Sequence, residues 1–260
     1  MNLELRGKVV FVAGASRGIG FGIARGFLEE GAAVAITGRD PTVLAAAEQT
    51  LRSTMPDALL RAYTGDMTVT ADLTSALERT ESALGPVDIV IANVGGGDQA
   101  IGYRFDDAQW DAVIQENLTG SVRLMREAIR CFHARPEADR PGCNIVAVSS
   151  IAGVDAMGTM LAYGASKAAL NHFVKNLAKE VGHAGIRVNA IAPGNILFPG
   201  GSWEKAAAAS SGVQKWIERD VALRRFGSVR EIADTVLFVA SPRAAFMTGE
   251  CVVVDGGQVK

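Results

Sequence analysis

Tyr163-Gly164-Ala165-Ser166-Lys167 sets a phenol and an amine four positions apart. On a helix that spacing puts both side chains on one face, one turn from each other. A phenol titrates near about 10 and is a poor base at neutral pH. A neighbouring ammonium stabilises the phenolate, so the pair predicts an acidified tyrosine. Such a group takes a proton from an alcohol or returns one to a carbonyl oxygen. An ordinary amphipathic helix with its lysine in solvent shows the same spacing, so the pair needs support from elsewhere in the chain.

Part of that support lies upstream. Asn144-Ile145-Val146-Ala147-Val148-Ser149-Ser150 reads as a strand ending in two serines, and Tyr163 follows Ser150 by thirteen positions. In open α/β sheets ligands bind beyond the carboxyl ends of the strands, where these hydroxyls fall. Ser150 is placed to hold a substrate oxygen beside the phenol, and Ser149 to cap a turn.

A second set of residues fits a phosphate. Gly14-Ala15-Ser16-Arg17-Gly18-Ile19-Gly20 stands where an apolar run feeds a helical one. Main-chain N–H groups at a helix N-terminus cradle a pyrophosphate when no Cβ blocks its approach. The spacing differs from the general Gly-x-Gly-x-x-Gly dinucleotide fingerprint, while the strand–turn–helix context agrees with it. A tight turn with close helix–strand packing is the bland alternative. Further on, Gly38-Arg39-Asp40-Pro41 follows the second strand. Asp before Pro is a good helix start, with the carboxylate as N-cap, so Asp40 is read as a cap rather than as a ribose ligand. Arg39 and Arg17 then offer two guanidiniums to a 2′-phosphate. NADP(H) is the preferred cofactor on this reading, and NAD(H) is possible.

These residues need elements to hold them. Strands are expected over Lys8–Ala13, Ala32–Thr37, Leu59–Thr64, 87–92, Asn144–Val148, 186–192 and Cys251–Val254. Helices are expected over Gly18–Glu30 (stopped by Gly31), Pro41–Ser53, Ala71–Leu84, 107–134, 161–183 and Val229–Ala240. Short continuous apolar runs suit strands buried on both faces, and their alternation with helices implies right-handed crossovers. The fold class is α/β: a doubly wound parallel sheet of about seven strands flanked by helices, in one domain spanning 1–260. The stretch Pro193–Gly212 is rich in Gly, Pro, Ala and Ser and is expected to be irregular. It belongs to a substrate-binding lid around 194–225.

Composition excludes several classes. The formal net charge of −2 leaves no electrostatic footprint for nucleic acid or an anionic membrane. Three widely spaced cysteines, Cys131, Cys143 and Cys251, suggest neither a disulfide framework nor a zinc site. His133, His172 and His183 are scattered away from the other candidates, so no metal is expected. The first residues lack a signal-peptide pattern and no apolar run is long enough to span a bilayer, so a cytoplasmic location is expected.

In combination these motifs resemble the classical short-chain dehydrogenase/reductase family over essentially the whole chain. The likeness rests on an ordered set: Gly14-x-x-x-Gly18-x-Gly20, Asp66, Asn93-Val94-Gly95, Asn117, Ser150, Tyr163-x-x-x-Lys167, Pro193-Gly194 and Val254-Asp255-Gly256-Gly257. It implies a Rossmann-type fold and a set of roles. Tyr163 is then the general acid/base, and Ser150 orients and polarises the carbonyl oxygen. Lys167 binds the nicotinamide ribose and lowers the tyrosine pKa, while Asn117 holds a water linking Lys167 to solvent. The implied cofactor-binding set is Gly14, Ser16, Arg17, Gly18, Ile19, Gly20, Arg39, Asp66, Met67, Asn93, Gly95, Tyr163, Lys167, Pro193, Gly194 and Ile196. A homotetramer or homodimer built through helices 107–134 and 161–183 is implied as well. Two departures stand out: Val94 replaces the family's usual alanine, and no threonine follows Pro193-Gly194 at the usual distance.

The substrate is expected to be a small, moderately hydrophobic carbonyl or alcohol, as for a 3-oxoacyl reductase or a ketone/alcohol dehydrogenase. Leu197, Phe198 and Trp203 supply apolar bulk on one side; Gly96–Tyr103, Val154, Met157 and Met160 supply it on the other. Core or lid packing explains the same residues equally well. A methyltransferase would want an acid where Gly38-Arg39 stand. A cofactor-sensing protein with a vestigial site is the remaining alternative; the presence of Asn117, Ser150, Tyr163 and Lys167 together argues against it.

Overall fold

The computed structural model describes residues 1–96, 103–140, 142–158 and 160–259. From the N-terminus, β1 (Val9–Val12) leads to α1 (Gly18–Glu29), β2 (Ala33–Gly38), α2 (Pro41–Thr54), β3 (Leu60–Thr64), α3 (Thr70–Leu84) and β4 (Ile89–Ala92). The second half contains α4 (Asp107–Ile114), α5 (Gly120–Ala134), β5 (Asn144–Val148), α6 (Leu161–Val181), β6 (Arg187–Pro193) and β7 (Ile196–Leu197). It continues with α7 (Ser202–Ala209), α8 (Gly212–Asp220), β8 (Gly227–Ser228), α9 (Val229–Ala240) and β9 (Cys251–Val254).

Seven strands form one parallel sheet in the order β3-β2-β1-β4-β5-β6-β9, and β7 pairs with β8 apart from it. Every residue of β1, β2, β4 and β5 is buried, which accounts for their mainly apolar runs, with Thr37 and Asn144 as buried polar exceptions. The outer strand β3 is less covered, with Leu60 and Tyr63 buried and Arg61 and Thr64 exposed. Phe27 of α1, Leu51 of α2 and Val236 of α9 fill one face of the sheet, and Leu77 of α3, Phe132 of α5 and Val174 of α6 fill the other. The strand order reverses between β1 and β4, so their carboxyl ends open a crevice at the switch point.

Three expectations need correction. The helical pattern of 107–134 is interrupted by a π-helical turn, Gln115–Thr119, which separates α4 from α5. The stretch expected to be irregular from Pro193 contains β7, α7 and the start of α8. Helix 161–183 ends at Val181 and tightens into a 3₁₀ turn, Gly182–Ala184. No helix among the described residues is long and apolar enough to cross a membrane.

Candidate active site

The turn after β1 is closed by neighbours from two other strands. Asn93, just past β4, donates its Nδ2 to the Gly14 carbonyl at 2.8 Å, and the Gly14 N–H donates to Thr37 Oγ1 of β2 at 3.3 Å. Gly14 has φ +65°, and a Cβ at Gly20 would lie 2.3 Å from the Gly14 carbonyl oxygen. Neither position tolerates a side chain without moving backbone. Helix α1 starts directly from this turn with no side-chain cap and no acid in its first turn. By contrast, Asp40 caps α2, accepting from the N–H groups of Thr42 at 2.8 Å and Val43 at 3.1 Å. An N-terminus left without a carboxylate, behind a turn with glycine at 14, 18 and 20, fits a dinucleotide pyrophosphate.

At the end of β5 the two serines diverge. Ser149 is buried and directs its hydroxyl at the Lys167 carbonyl, 3.4 Å away. Ser150 accepts from the Ala152 N–H at 3.1 Å, which starts a 3₁₀ turn over Ile151–Gly153, and it shares a hydrogen bond with the Tyr163 phenol. Tyr163 and Lys167 lie in the first two turns of α6, and the Lys167 ammonium is 5.7 Å from the centre of the tyrosine ring. The two side chains face the same way. Lys167 is 3% exposed and donates to the Val148 carbonyl at 3.0 Å.

Asn117 sits in the π-helical turn, fully buried. Its Oδ1 accepts from the Gly96 N–H at 3.1 Å, and its Nδ2 donates to the Val113 carbonyl at 3.2 Å. Gly95, with φ +131°, lies between Asn117 and Lys167: a Cβ there would be 2.4 Å from Asn117 Oδ1 and 3.4 Å from Lys167 Nζ. Asn117, Gly95, Lys167, Tyr163 and Ser150 therefore form one continuous polar line along the crevice.

Electrostatically this line differs from the sequence expectation. Burial pushes the Tyr163 phenol above its ordinary value, and the hydrogen bond with Ser150 pulls it partway back. Burial also brings the Lys167 ammonium down to about 8, with the Glu116 carboxylate acting in the opposite direction. Desolvation thus outweighs the Ser150 hydrogen bond, and the phenol is not acidified as the Tyr163–Lys167 spacing predicts.

The remaining candidates are spread around this line. Arg17 is exposed, Ser16 packs against Gly38, and Arg39 Nη2 donates to Glu116 Oε1 at 3.0 Å. Asp66 Oδ1 accepts from the Thr68 N–H at 2.9 Å, while the Met67 side chain is buried in the core. Gly194, following Pro193, donates its N–H to the Val254 carbonyl at 3.0 Å, and Ile196 pairs with Gly227 in the small sheet. Val154 is exposed; Gly96, Met157 and Met160 are half-buried. The Phe198 ring lies where a Cβ on Gly18 would meet it at 2.7 Å, above the glycine turn. Trp203 stacks on Trp216, ring centres 5.5 Å apart, and leans on Phe226. Residues 97–102, expected in the substrate wall, lie outside the described residues.

Sequence reasoning did not assign Thr37 or Glu116. A threonine inside an apolar strand was a usable signal for the first; nothing in the sequence pairs Glu116 with a residue 77 positions away.

A family model described as enoyl-(acyl carrier protein) reductase matches residues 14–258. The 3α-hydroxysteroid dehydrogenase of Mediterraneibacter gnavus is 33% identical over 257 residues, covering 98% of this chain and 98% of that one. The 3-oxoacyl-(acyl-carrier-protein) reductase FabG of Escherichia coli is 34% identical over 257 residues, covering 99% and 98%. Among solved structures, L-sorbose reductase of Gluconobacter frateurii, complexed with NADPH and L-sorbose, matches with a TM-score of 0.91 at 31% identity, covering 100% and 99%.

Proposed function

The chain belongs to the short-chain dehydrogenase/reductase family of nicotinamide-dependent oxidoreductases, and we propose that it interconverts a moderately hydrophobic ketone and its secondary alcohol with NADP(H), using Tyr163 as the proton donor and acceptor. The observation that carries this reading is the gathering of Ser150, Tyr163 and Lys167, with the phenol hydrogen-bonded to Ser150 and the ammonium 5.7 Å from its ring.

The chemistry a bound nicotinamide supplies is transfer of a hydride to or from the carbonyl carbon. Gly14, Ser16, Arg17, Gly18, Ile19 and Gly20 are proposed to hold its pyrophosphate, and Arg39 the 2′-phosphate. Asp66 and Met67 belong to the adenine side, Asn93 and Gly95 to the floor, and Pro193, Gly194 and Ile196 to the carboxamide end. In the reductive direction Ser150 holds the substrate oxygen and Tyr163 delivers its proton to it. The Lys167 charge then stabilises the phenolate, and Asn117 connects that amine with solvent.

The lid reading of 194–225 is retained as part of the proposal, with Phe198 and Trp203 on it. Val154, Met157, Met160 and Gly96 make up the opposite wall. The relatives' names span a hydroxysteroid, a 3-oxoacyl group on a carrier protein and a sugar, so the family does not fix the substrate. A cytoplasmic homotetramer or homodimer, built through the helices spanning 107–134 and 161–183, completes the reading.

The test is a panel of ketones and alcohols followed at the reduced-nicotinamide absorbance, in wild type and Tyr163→Phe. The variant is expected to lose at least about a thousandfold in kcat, within the range of acid–base catalysis, and to keep its affinity for NADPH within about threefold. Substantial residual kcat assigns the proton to another group. Cofactor binding without turnover of any carbonyl returns the sensor alternative.

A further inference from the structure

Glu116 lies at a meeting point of three segments. The π-helical turn that carries it docks on Thr68: Gln115 and Arg123 both reach the Thr68 carbonyl, and Gly120 leaves room for the Thr68 side chain. That contact sets the turn beside Asp66 and Met67, on the adenine side. From there the Glu116 carboxylate crosses to the end of β2 and accepts from Arg39 at 3.0 Å, with side-chain exposures of 27% for the acid and 67% for the arginine. The one guanidinium available from this strand end for a 2′-phosphate thus already carries a carboxylate.

We infer that Glu116 is a specificity-determining residue, a counterweight to Arg39 that weakens discrimination for the 2′-phosphate and keeps the site open to both NADP(H) and NAD(H). The inference rests on Arg39 being the 2′-phosphate ligand. A phosphate dianion placed on Arg39 must either displace Glu116 or sit close to a like charge, and both cost affinity. A ribose 2′-hydroxyl meets no such conflict: Glu116 keeps its hydrogen bond to Arg39, and a carboxylate tolerates a neighbouring hydroxyl. The ion pair is exposed enough to rearrange, so its effect is a graded bias rather than exclusion.

The test compares adenosine 2′,5′-bisphosphate with adenosine 5′-monophosphate by titration calorimetry at low salt, together with the NADPH/NADH ratio of kcat/KM. Ratios taken within one variant cancel any effect of Glu116 on Lys167. Glu116→Gln is expected to tighten the bisphosphate three- to tenfold, to leave the monophosphate within twofold, and to raise the NADPH/NADH ratio in the same proportion. Glu116→Ala gives the same direction and serves if the amide variant folds poorly. Arg39→Ala is expected to weaken the bisphosphate at least tenfold. If Arg39→Ala has that effect while both Glu116 variants leave the two probes in their original ratio, the inference is overturned and the cofactor reading survives. If Arg39→Ala itself leaves the ratio unchanged, the cofactor reading fails and takes the inference with it.

Discussion

Lys167 keeps an ammonium where charge is costly, and that cost has a measurable sign. Its pKa is lowered from an ordinary 10.5 to about 8, chiefly by burial. Below about 8 the folded protein holds the charge; between about 8 and 10.5 the unfolded chain binds more protons at this residue than the folded one. Stability contributed by this group therefore rises with pH across that window. Activity should do the opposite if Tyr163 is the proton donor proposed above, because a neutral amine no longer stabilises the phenolate left behind. We expect reductive kcat/KM to fall as pH passes about 8, while the stability advantage of Lys167→Met over wild type narrows over the same range. Paired pH series of kcat/KM and of the difference in Tm check this. An activity that holds level to pH 10, or a Tm advantage that widens, contradicts the assignment. The residues of this site were legible because each is a particular chemical type beside a recognisable turn or strand end. Their electrostatics were not, because the pair's spacing says nothing about how far water is excluded from it.

At the scale of elements, the clearest signals were local ones. Asp40-Pro41 marked the start of α2, and the structure bears out the cap with two backbone N–H groups on one carboxylate. Removing a cap of this kind costs about 1 kcal/mol. Asp40→Ala should therefore lower unfolding stability by about that amount and leave kcat/KM for NADH within twofold. Urea titration and steady-state kinetics separate the two effects. A tenfold loss with NADH and no loss of stability would make Asp40 a ribose ligand instead. Where the sequence failed, the elements lacked a distinguishing pattern. The π-helical turn at 115–119 shifts the helical phase within a stretch whose composition still reads as helix, so 107–134 looked continuous. Helix α7 has no fully buried residue, and the apolar stripe of α8 is confined to Val213, Trp216 and Ile217 within nine residues, too short a pattern to stand out beside the Gly- and Ser-rich stretch before it. Aromatic stacking of Trp203 on Trp216 and Phe226 holds these helices together, and it joins residues too distant in sequence to be paired by spacing.

The architecture of the whole molecule gathers the candidate site at one end of the sheet. Because β1, β4 and β5 run parallel, the glycine turn, Asn93 and Ser150 all emerge at their carboxyl ends, where Tyr163 meets Ser150. The chain from β6 to α9 crosses that side, and its Phe198 ring rests against Gly18 of the glycine turn. The segment proposed as a substrate lid is thereby in contact with the segment proposed to take the pyrophosphate. On the proposed reading a cofactor seated on that turn displaces the ring, and Gly201, which the ring also touches, immediately precedes α7 and its Trp203–Trp216 stack. Two consequences are measurable. NADPH should change the tryptophan emission of the wild type, and this response should shrink in Trp203→Phe. In Phe198→Ala, stopped-flow mixing should show NADPH associating at least threefold faster, since no ring has to clear the turn, while kcat falls as the lid loses its hold. An association rate indistinguishable from wild type would mean that the ring stands clear of the cofactor's path and that lid and glycine turn act independently.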